Sequence, residues 1–330
     1  MMDRRTFVGT IAAALLAIPL AGVAQQPGRI YRLGVLSGGP RPISEGGLTQ
    51  WLATYLREQG YVEGRNLAVE SRFAEGQYDR LPGLARELAL LKPDVIVAIG
   101  TSAIQEGKLA TATVPIVFLT NVDPIAAGLV PSLAQPGGNV TGILIAPEGT
   151  LAGKKLELLR EVVPKARRIA LLAPDDPGVG FGLQREEVRK AAAALGVELI
   201  VVVVKGGDYA GAFAAIGAAR PAALFVGAHS IFVRDRKQVI GLAAKYRLPA
   251  MYEWPQQVKD GGLMSYGASD TETYRRVAVY VDRIFKGAKP SELPIEQPSK
   301  LLLVINANTA KALGLKLPQS LLLRADEVIQ

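Results

Sequence analysis

Arg32-Leu33-Gly34-Val35-Leu36-Ser37 and, much later, Arg168-Ile169-Ala170-Leu171-Leu172-Ala173 are two openings of one pattern. Each apolar run leads through a helical stretch to a glycine, in Gln59-Gly60-Tyr61 the first time and Leu195-Gly196-Val197 the second. Gly34 stands as far from Gly60 as Ala170 stands from Gly196, so the register is kept. Further along, Pro93-Asp94-Val95-Ile96-Val97-Ala98-Ile99-Gly100-Thr101-Ser102 leads to Val114-Pro115-Ile116-Val117-Phe118. Its echo, Pro221-Ala222-Ala223-Leu224-Phe225-Val226-Gly227-Ala228-His229-Ser230, leads to Leu248-Pro249-Ala250-Met251-Tyr252. Two successive α/β units of one pattern imply two similar lobes, and similar lobes that face one another make a cleft.

Short runs rich in Val, Ile and Leu alternate with amphipathic stretches, the pattern of βαβ units on parallel sheets. It predicts strands over 32–36, 67–72, 95–99 and 116–119, then 169–172, 198–204, 223–226 and 250–252, all buried on both faces. Helices are predicted over 48–59, 81–91, 156–163, 186–195 and 231–246, with Gly60 and Gly196 as left-handed caps. The Gly- and Pro-bracketed runs 136–142 and 261–267 read as crossings between the halves. A helix over 273–286 has no partner in the first repeat, and extended 293–298 reads as a third crossing. The expected architecture is α/β: two similar doubly wound parallel-sheet lobes joined by a three-strand hinge. Lobe 1 takes 28–142 plus 266–296, and lobe 2 takes 143–265 plus 297–330. Such a hinge permits closure over a bound molecule.

Residues 1–24 have the three parts of an export signal: Arg4 and Arg5, an apolar run from Thr10 to Leu20, and the small-x-small site Gly22-Val23-Ala24. The run is too short, and broken by Pro19, to span a bilayer. Asp3-Arg4-Arg5-Thr6-Phe7-Val8 fits a twin-arginine motif and also an ordinary secretion signal. Either reading places the mature protein in a periplasm. The chain has no cysteine, which excludes disulfides, thiolate metal sites and a lipidated N-terminal cysteine. Its net charge of +8 is scattered, without a dense Lys/Arg block, so nucleic acid is not an expected partner.

In an open parallel sheet the crevice lies beyond the carboxyl ends of the strands. Ser37, Thr101, Ser102, Asn121 and Asp123 occupy such places in the first half; Asp176, beside Asp175, and His229, Ser230 and Glu253 occupy them in the second. Gly100-Thr101-Ser102 joins free helix N–H groups, the helix dipole and two hydroxyls where a carboxylate can sit, though the same residues also make an ordinary N-cap. Asp123 suits a ligand amine or, before Pro124, a turn. His229 is the only histidine, which excludes a His-based metal cluster or a triad with a His base; it reads as a ligand contact or a structural residue. Glu253 between Tyr252 and Trp254 suits a flat zwitterion or core packing, and Tyr266 suits a contact from the hinge side or packing between crossings. No G-x-G-x-x-G follows a strand, and neither a P-loop nor G-x-S-x-G is present, so no enzyme activity and no cofactor are expected.

Five phrases are more specific: 60–66 (Gly60-Tyr61-Val62-Glu63-Gly64-Arg65-Asn66), 75–82 (Glu75-Gly76-Gln77-Tyr78-Asp79-Arg80-Leu81-Pro82), 137–142, 261–267 and 321–329. Across essentially all of the mature chain they resemble the ABC transporter substrate-binding protein family of the tryptophan/tyrosine type. The resemblance implies a type I periplasmic-binding-protein fold, a Venus-flytrap ligand clamp without catalysis, and delivery to an ABC permease and its ATPase at the inner membrane. At the cleft the chain departs from the family's usual phrasing, with Asn121-Val122-Asp123-Pro124 lacking the Gly before Asp-Pro, and Ser102-Ala103-Ile104 in place of Pro-Ala-Ala. The expectation is a monomeric periplasmic receptor for a small carboxylate-bearing ligand, an aromatic amino acid or related acid. A ligand-sensing module that reports to a membrane receptor without transport stays open beside it.

Overall fold

Alternation within each central strand decides which face meets which helices. Val95 and Val97 enter one apolar cluster while Ile96 and Ala98 enter another; in the second repeat Ile169 and Leu171 part from Ala170 and Leu172 in the same way. Each sheet therefore has a core on both faces, the doubly wound arrangement. The computed structural model describes residues 29–39, 41, 48–145, 151–175, 179–297 and 300–330, and the export-signal expectation lies outside them.

The first sheet is parallel, formed by β1 (Tyr31–Ser37), β2 (Leu67–Phe73), β3 (Val95–Ile99), β4 (Ile116–Thr120) and β5 (Val140–Leu144) in the order β2-β1-β3-β4-β5. Helices α1 (Leu48–Glu58), α2 (Leu81–Leu90) and α3 (Thr101–Ala110) belong to this lobe. The second lobe carries α4 (Leu151–Val162), β6 (Arg168–Pro174), α5 (Val179–Ala194), β7 (Glu198–Val204), α6 (Tyr209–Ala219), β8 (Ala223–Val226), α7 (Ser230–Arg234), α8 (Arg236–Lys245), β9 (Ala250–Tyr252), α9 (Pro255–Lys259) and β10 (Met264–Ala268). Strands β7-β6-β8-β9-β10 repeat the order of the first sheet by position, and every pair among them for which a register exists is parallel. The chain then forms α10 (Asp270–Phe285), β11 (Leu301–Asn306), α11 (Ala307–Leu313), α12 (Gln319–Leu322) and β12 (Glu327–Ile329). β11 joins β10 antiparallel and β12 joins β11 parallel, completing seven strands.

The expected strands are present, and the differences fall at the joints. The runs read as crossings contain β5 and β10, the fifth strand of each repeat, so the first sheet keeps residues 143–144 and the second keeps 266–268. The chain still passes between the sheets three times: after Ile145, at Ser269, and beyond Glu296, which bridges to Ile143. Helix α10 returns to the first lobe and packs on α1, with the Tyr61 hydroxyl donating to Asp282 at 2.9 Å. Strand β7 is not buried on both faces, because it ends the sheet; Val201 there is 40% exposed. The helix expected over 231–246 is broken at Asp235, whose carboxylate takes the Arg234 guanidinium and the Tyr209 hydroxyl while its backbone turns out of helical geometry. Gly60 (φ 91°) and Gly196 (φ 65°) hold the left-handed positions that their helices need. Among the described residues no helix is long and apolar enough to cross a membrane.

Candidate functional site

A cavity of about 960 Å³ lies at the carboxyl ends of the strands, lined from both lobes. The β1/β3 split in the strand order is the switch point at which such a sheet opens a crevice, and Ser37 and Phe73 border the cavity as the last residues of their strands, with Gly100, Thr101 and Asn121 just past theirs. On the other wall stand Gly180, Phe181, His229, Ser230 and Trp254.

The lobe 1 wall is built around α3. Gly100, at φ 84°, turns the chain from β3 into the helix in a conformation that suits glycine, and no side chain caps the helix start. Thr101 is 6% exposed and its hydroxyl meets that of Thr120 at 3.3 Å, which fixes its rotamer under the cavity floor. The Ser37 hydroxyl accepts the Gly39 amide at 3.1 Å. Anion-binding chemistry is available here: first-turn amides, the positive end of a ten-residue helix and two hydroxyls.

The lobe 2 wall is engaged with its opposite. His229 caps α7, with Nδ1 accepting the Ile231 amide at 3.4 Å, and its Nε2 lies 2.6 Å from the Tyr78 hydroxyl of lobe 1. A ring whose Nδ1 accepts carries its neutral proton on Nε2, so His229 donates to Tyr78 in that tautomer. The Asn121 amide donates to the Ala228 carbonyl at 3.2 Å, a second bond between lobes. Two glycines permit the approach: a Cβ on Gly39 would stand 2.5 Å from Ser230 Oγ, and one on Gly180 would stand 2.5 Å from Thr101 Oγ1.

Of the residues singled out from sequence, Ser37, Thr101, Ser102, Asn121, His229 and Ser230 border the cavity. Asp176 lies outside the described residues. Three do not border it. Asp123 spends Oδ1 on the Ile125 amide at 2.8 Å, the turn that Asp-Pro favours. Its remaining charge acts on Glu187 of α5, whose carboxyl is pushed up first by burial and then by Asp123. Glu253 is 3% exposed and pairs with the equally buried Lys155 of α4; its Oε1 has no hydrogen-bond partner. Tyr266 sits on β10 opposite Leu303, half-buried against the lobe 2 core.

Sequence reasoning missed Tyr78, Trp51, Arg41 and Tyr274, which border the cavity as well. Tyr78 follows β2 in a short 3-10 turn, so the strand-end rule, applied to β2 as to β1, β3 and β4, would have found it. Tyr274 lies on α10, reached only through the return of that helix to lobe 1. No group of three or more His, Cys, Asp or Glu residues capable of holding a metal exists among the described residues.

A model of the family described as ABC transporter substrate binding protein matches residues 46–329. The chain is 24% identical over 261 residues to the tyrosine-binding protein of Clostridioides difficile (strain R20291), an alignment covering 79% of this chain and 74% of that one. It overlays a conserved domain protein from Vibrio cholerae with a TM-score of 0.82 at 27% identity, covering 91% of this chain and 100% of that one. A Streptococcus pneumonia ABC domain in complex with L-Trp overlays with a TM-score of 0.79 at 24% identity and the same coverage.

Proposed function

We propose that this chain, which belongs to the ABC transporter substrate-binding protein family, works outside the cytoplasm, closing its lobes on a small carboxylate-bearing solute and delivering it to an ABC permease with its ATPase. The family is one of ligand-binding proteins, and the sequence carries no motif for turnover. One observation supports the reading above the others: a cavity of about 960 Å³ at the strand ends, spanned at its edge by the Tyr78–His229 and Asn121–Ala228 bonds. A solute that touches both walls favours the closed arrangement by its differential affinity for it. The carboxylate sits at the start of α3, taking its amides and the Thr101 and Ser102 hydroxyls, and the aromatic lining takes an apolar body. The tyrosine-binding relative and the L-Trp complex fit a ligand of that size and chemistry.

The test is native mass spectrometry of protein purified from its own periplasm, joined to calorimetry with amino acids, aromatic acids and short peptides. A carried or titrated carboxylate is the expected result. No carried solute and no heat from any of them would overturn the reading.

A further inference from the structure

The geometry points to a second binding site, in lobe 2 at the end of the sheet away from the cleft, for a small apolar molecule that carries an accepting oxygen, of the class of aryl ketones. It goes beyond solute capture, and neither depends on the other. A cavity of about 420 Å³ lies there between α8 and α11, a size that small-molecule sites take. Ala250 opens β9, and Gly262 and Leu263 run into β10, so this cavity sits at the starts of strands whose other ends face the cleft. The segments that line it, 240–263 and 306–313, are described throughout.

Its walls are set by Ile240, Ala243, Leu248, Leu263 and Leu313, which favour an apolar occupant. Asn306 and Thr309 border it with their hydrogen bonds already made. Asn306 donates through Nδ2 to the Val258 carbonyl at 3.2 Å and accepts the Thr309 amide at 2.9 Å, while the Thr309 hydroxyl donates to the Gly261 carbonyl at 2.9 Å. Tyr252 differs: it is 1% exposed, and its hydroxyl bonds to no described residue.

The ring edge beside that hydroxyl lies against Gly262, where a Cβ would stand 2.7 Å from Cε2, so the glycine leaves the hydroxyl end of the ring open to the cavity. Burial pushes the Tyr252 hydroxyl up, which keeps it a neutral donor. A buried donor without an acceptor is costly, and buried polar groups are nearly always paired. Water substitutes poorly, because it wants two to four polar partners and the walls here are apolar. An occupant with an oxygen at its inner end satisfies the donor, and a hydrocarbon does not. Arg247 and Asn308, both exposed, form a polar mouth.

A matched pair of probes tests the assignment. Fluorine NMR on the purified protein compares 4-fluoroacetophenone with 4-fluoro-α-methylstyrene, which keeps the shape and replaces the carbonyl oxygen by a methylene. The ketone is expected to bind about 3- to 10-fold tighter, the effect of one neutral hydrogen bond. Tyr252→Phe is expected to erase that preference and to leave the styrene bound. Ala244→Trp, at the exposed mouth, is expected to block the entrance and abolish binding of both. A ketone that binds no tighter than the styrene, a preference that survives Tyr252→Phe, binding untouched by Ala244→Trp, or silence from both probes each overturns the second site. Solute capture is read separately, by its own carboxylate titration, and none of these outcomes bears on it.

Discussion

The two lobes meet through reciprocal contacts built from equivalent parts, yet the walls behind those contacts differ in kind. Gly39 after β1 lies against Ser230 at the start of α7, and Gly180 at the start of α5 lies against Thr101 at the start of α3. Helix α3 has ten residues and an uncapped start beside two hydroxyls; α7 has five, and its cap, His229, is occupied by Tyr78 from across the cleft. Below the walls the contrast continues. Thr101 and Thr120 share a neutral hydroxyl contact in lobe 1, whereas Lys155 and Glu253 form a buried ion pair in lobe 2. Duplication supplied the same turn twice, and a few side chains made one copy the anchor for an anion and the other a latch.

The largest effect is expected where the contrast is electrostatic. Lys155→Met leaves Glu253 buried and unpaired, a loss of about 3–5 kcal/mol of stability, while the double change Lys155→Met with Glu253→Leu recovers most of it. Thr120→Val in lobe 1 removes only neutral hydrogen bonds, to the Thr101 hydroxyl and from the Val122 amide, at about 0.5–1.5 kcal/mol each. Urea denaturation of the three variants measures the difference, and equal losses for Lys155→Met and Thr120→Val would erase the distinction between the lobe floors.

Next comes the anchor. Thr101→Ala is expected to weaken solute binding by about 1.5–3 kcal/mol, through loss of a charge-assisted hydrogen bond. The latch is worth less: Tyr78→Phe removes one neutral bond, about 0.5–1.5 kcal/mol of affinity, and shifts the scattering profile of the unliganded protein toward a larger radius of gyration. A Thr101→Ala protein of unchanged affinity would move the anchor off α3. Gly180→Ala tests whether closure itself is needed, because the new methyl meets the Thr101 side chain; overpacking of that kind costs about 1–3 kcal/mol. Small-angle scattering with solute present then shows the lobes held apart.

The strands were legible in the sequence because each central strand is a short Val/Ile/Leu run whose two faces both meet helices, and Gly60 and Gly196 marked where helices end. Strands β5 and β10 were harder to read as sheet members, since the glycines beside them carry the signature of a loop. Gly142 shows why: a Cβ there would stand 2.2 Å from the Phe118 carbonyl oxygen, so a glycine inside the strand reports close approach to β4 and not a break. The site was legible where the strand-end rule applied directly, at Ser37, Thr101, Asn121 and His229. It failed at Glu253, because nothing in sequence spacing says that Lys155, in a different helix, reaches under β9. Tyr78 was within reach of the same rule applied to β2, whereas Trp51 lies on a helix, α1, and no strand end points to it.

The helix that crosses back to lobe 1 gives the smallest and sharpest test. Helix α10 follows β10 as α4 follows β5, each packing on the lobe it enters; Arg276 on α10 holds Glu296, the residue that bridges to Ile143 where the chain last leaves lobe 1. Burial pushes the Glu296 carboxyl up, but the hydrogen bond and charge of Arg276 outweigh it and leave the carboxyl below its ordinary value. A carboxyl lowered in the folded state stabilises fully above the unfolded value, near 4.3, and its contribution shrinks as pH falls through that point toward the folded value. The side chains are 33% and 28% exposed, so water screens the pair and about 0.5–1 kcal/mol is expected. Wild type should therefore exceed Glu296→Gln in stability at pH 7 and converge with it on acidification below about pH 4. A gap that stays constant across that range would assign the role of Glu296 to its backbone bridge, and the attachment of α10 to lobe 1 would rest on its apolar face alone.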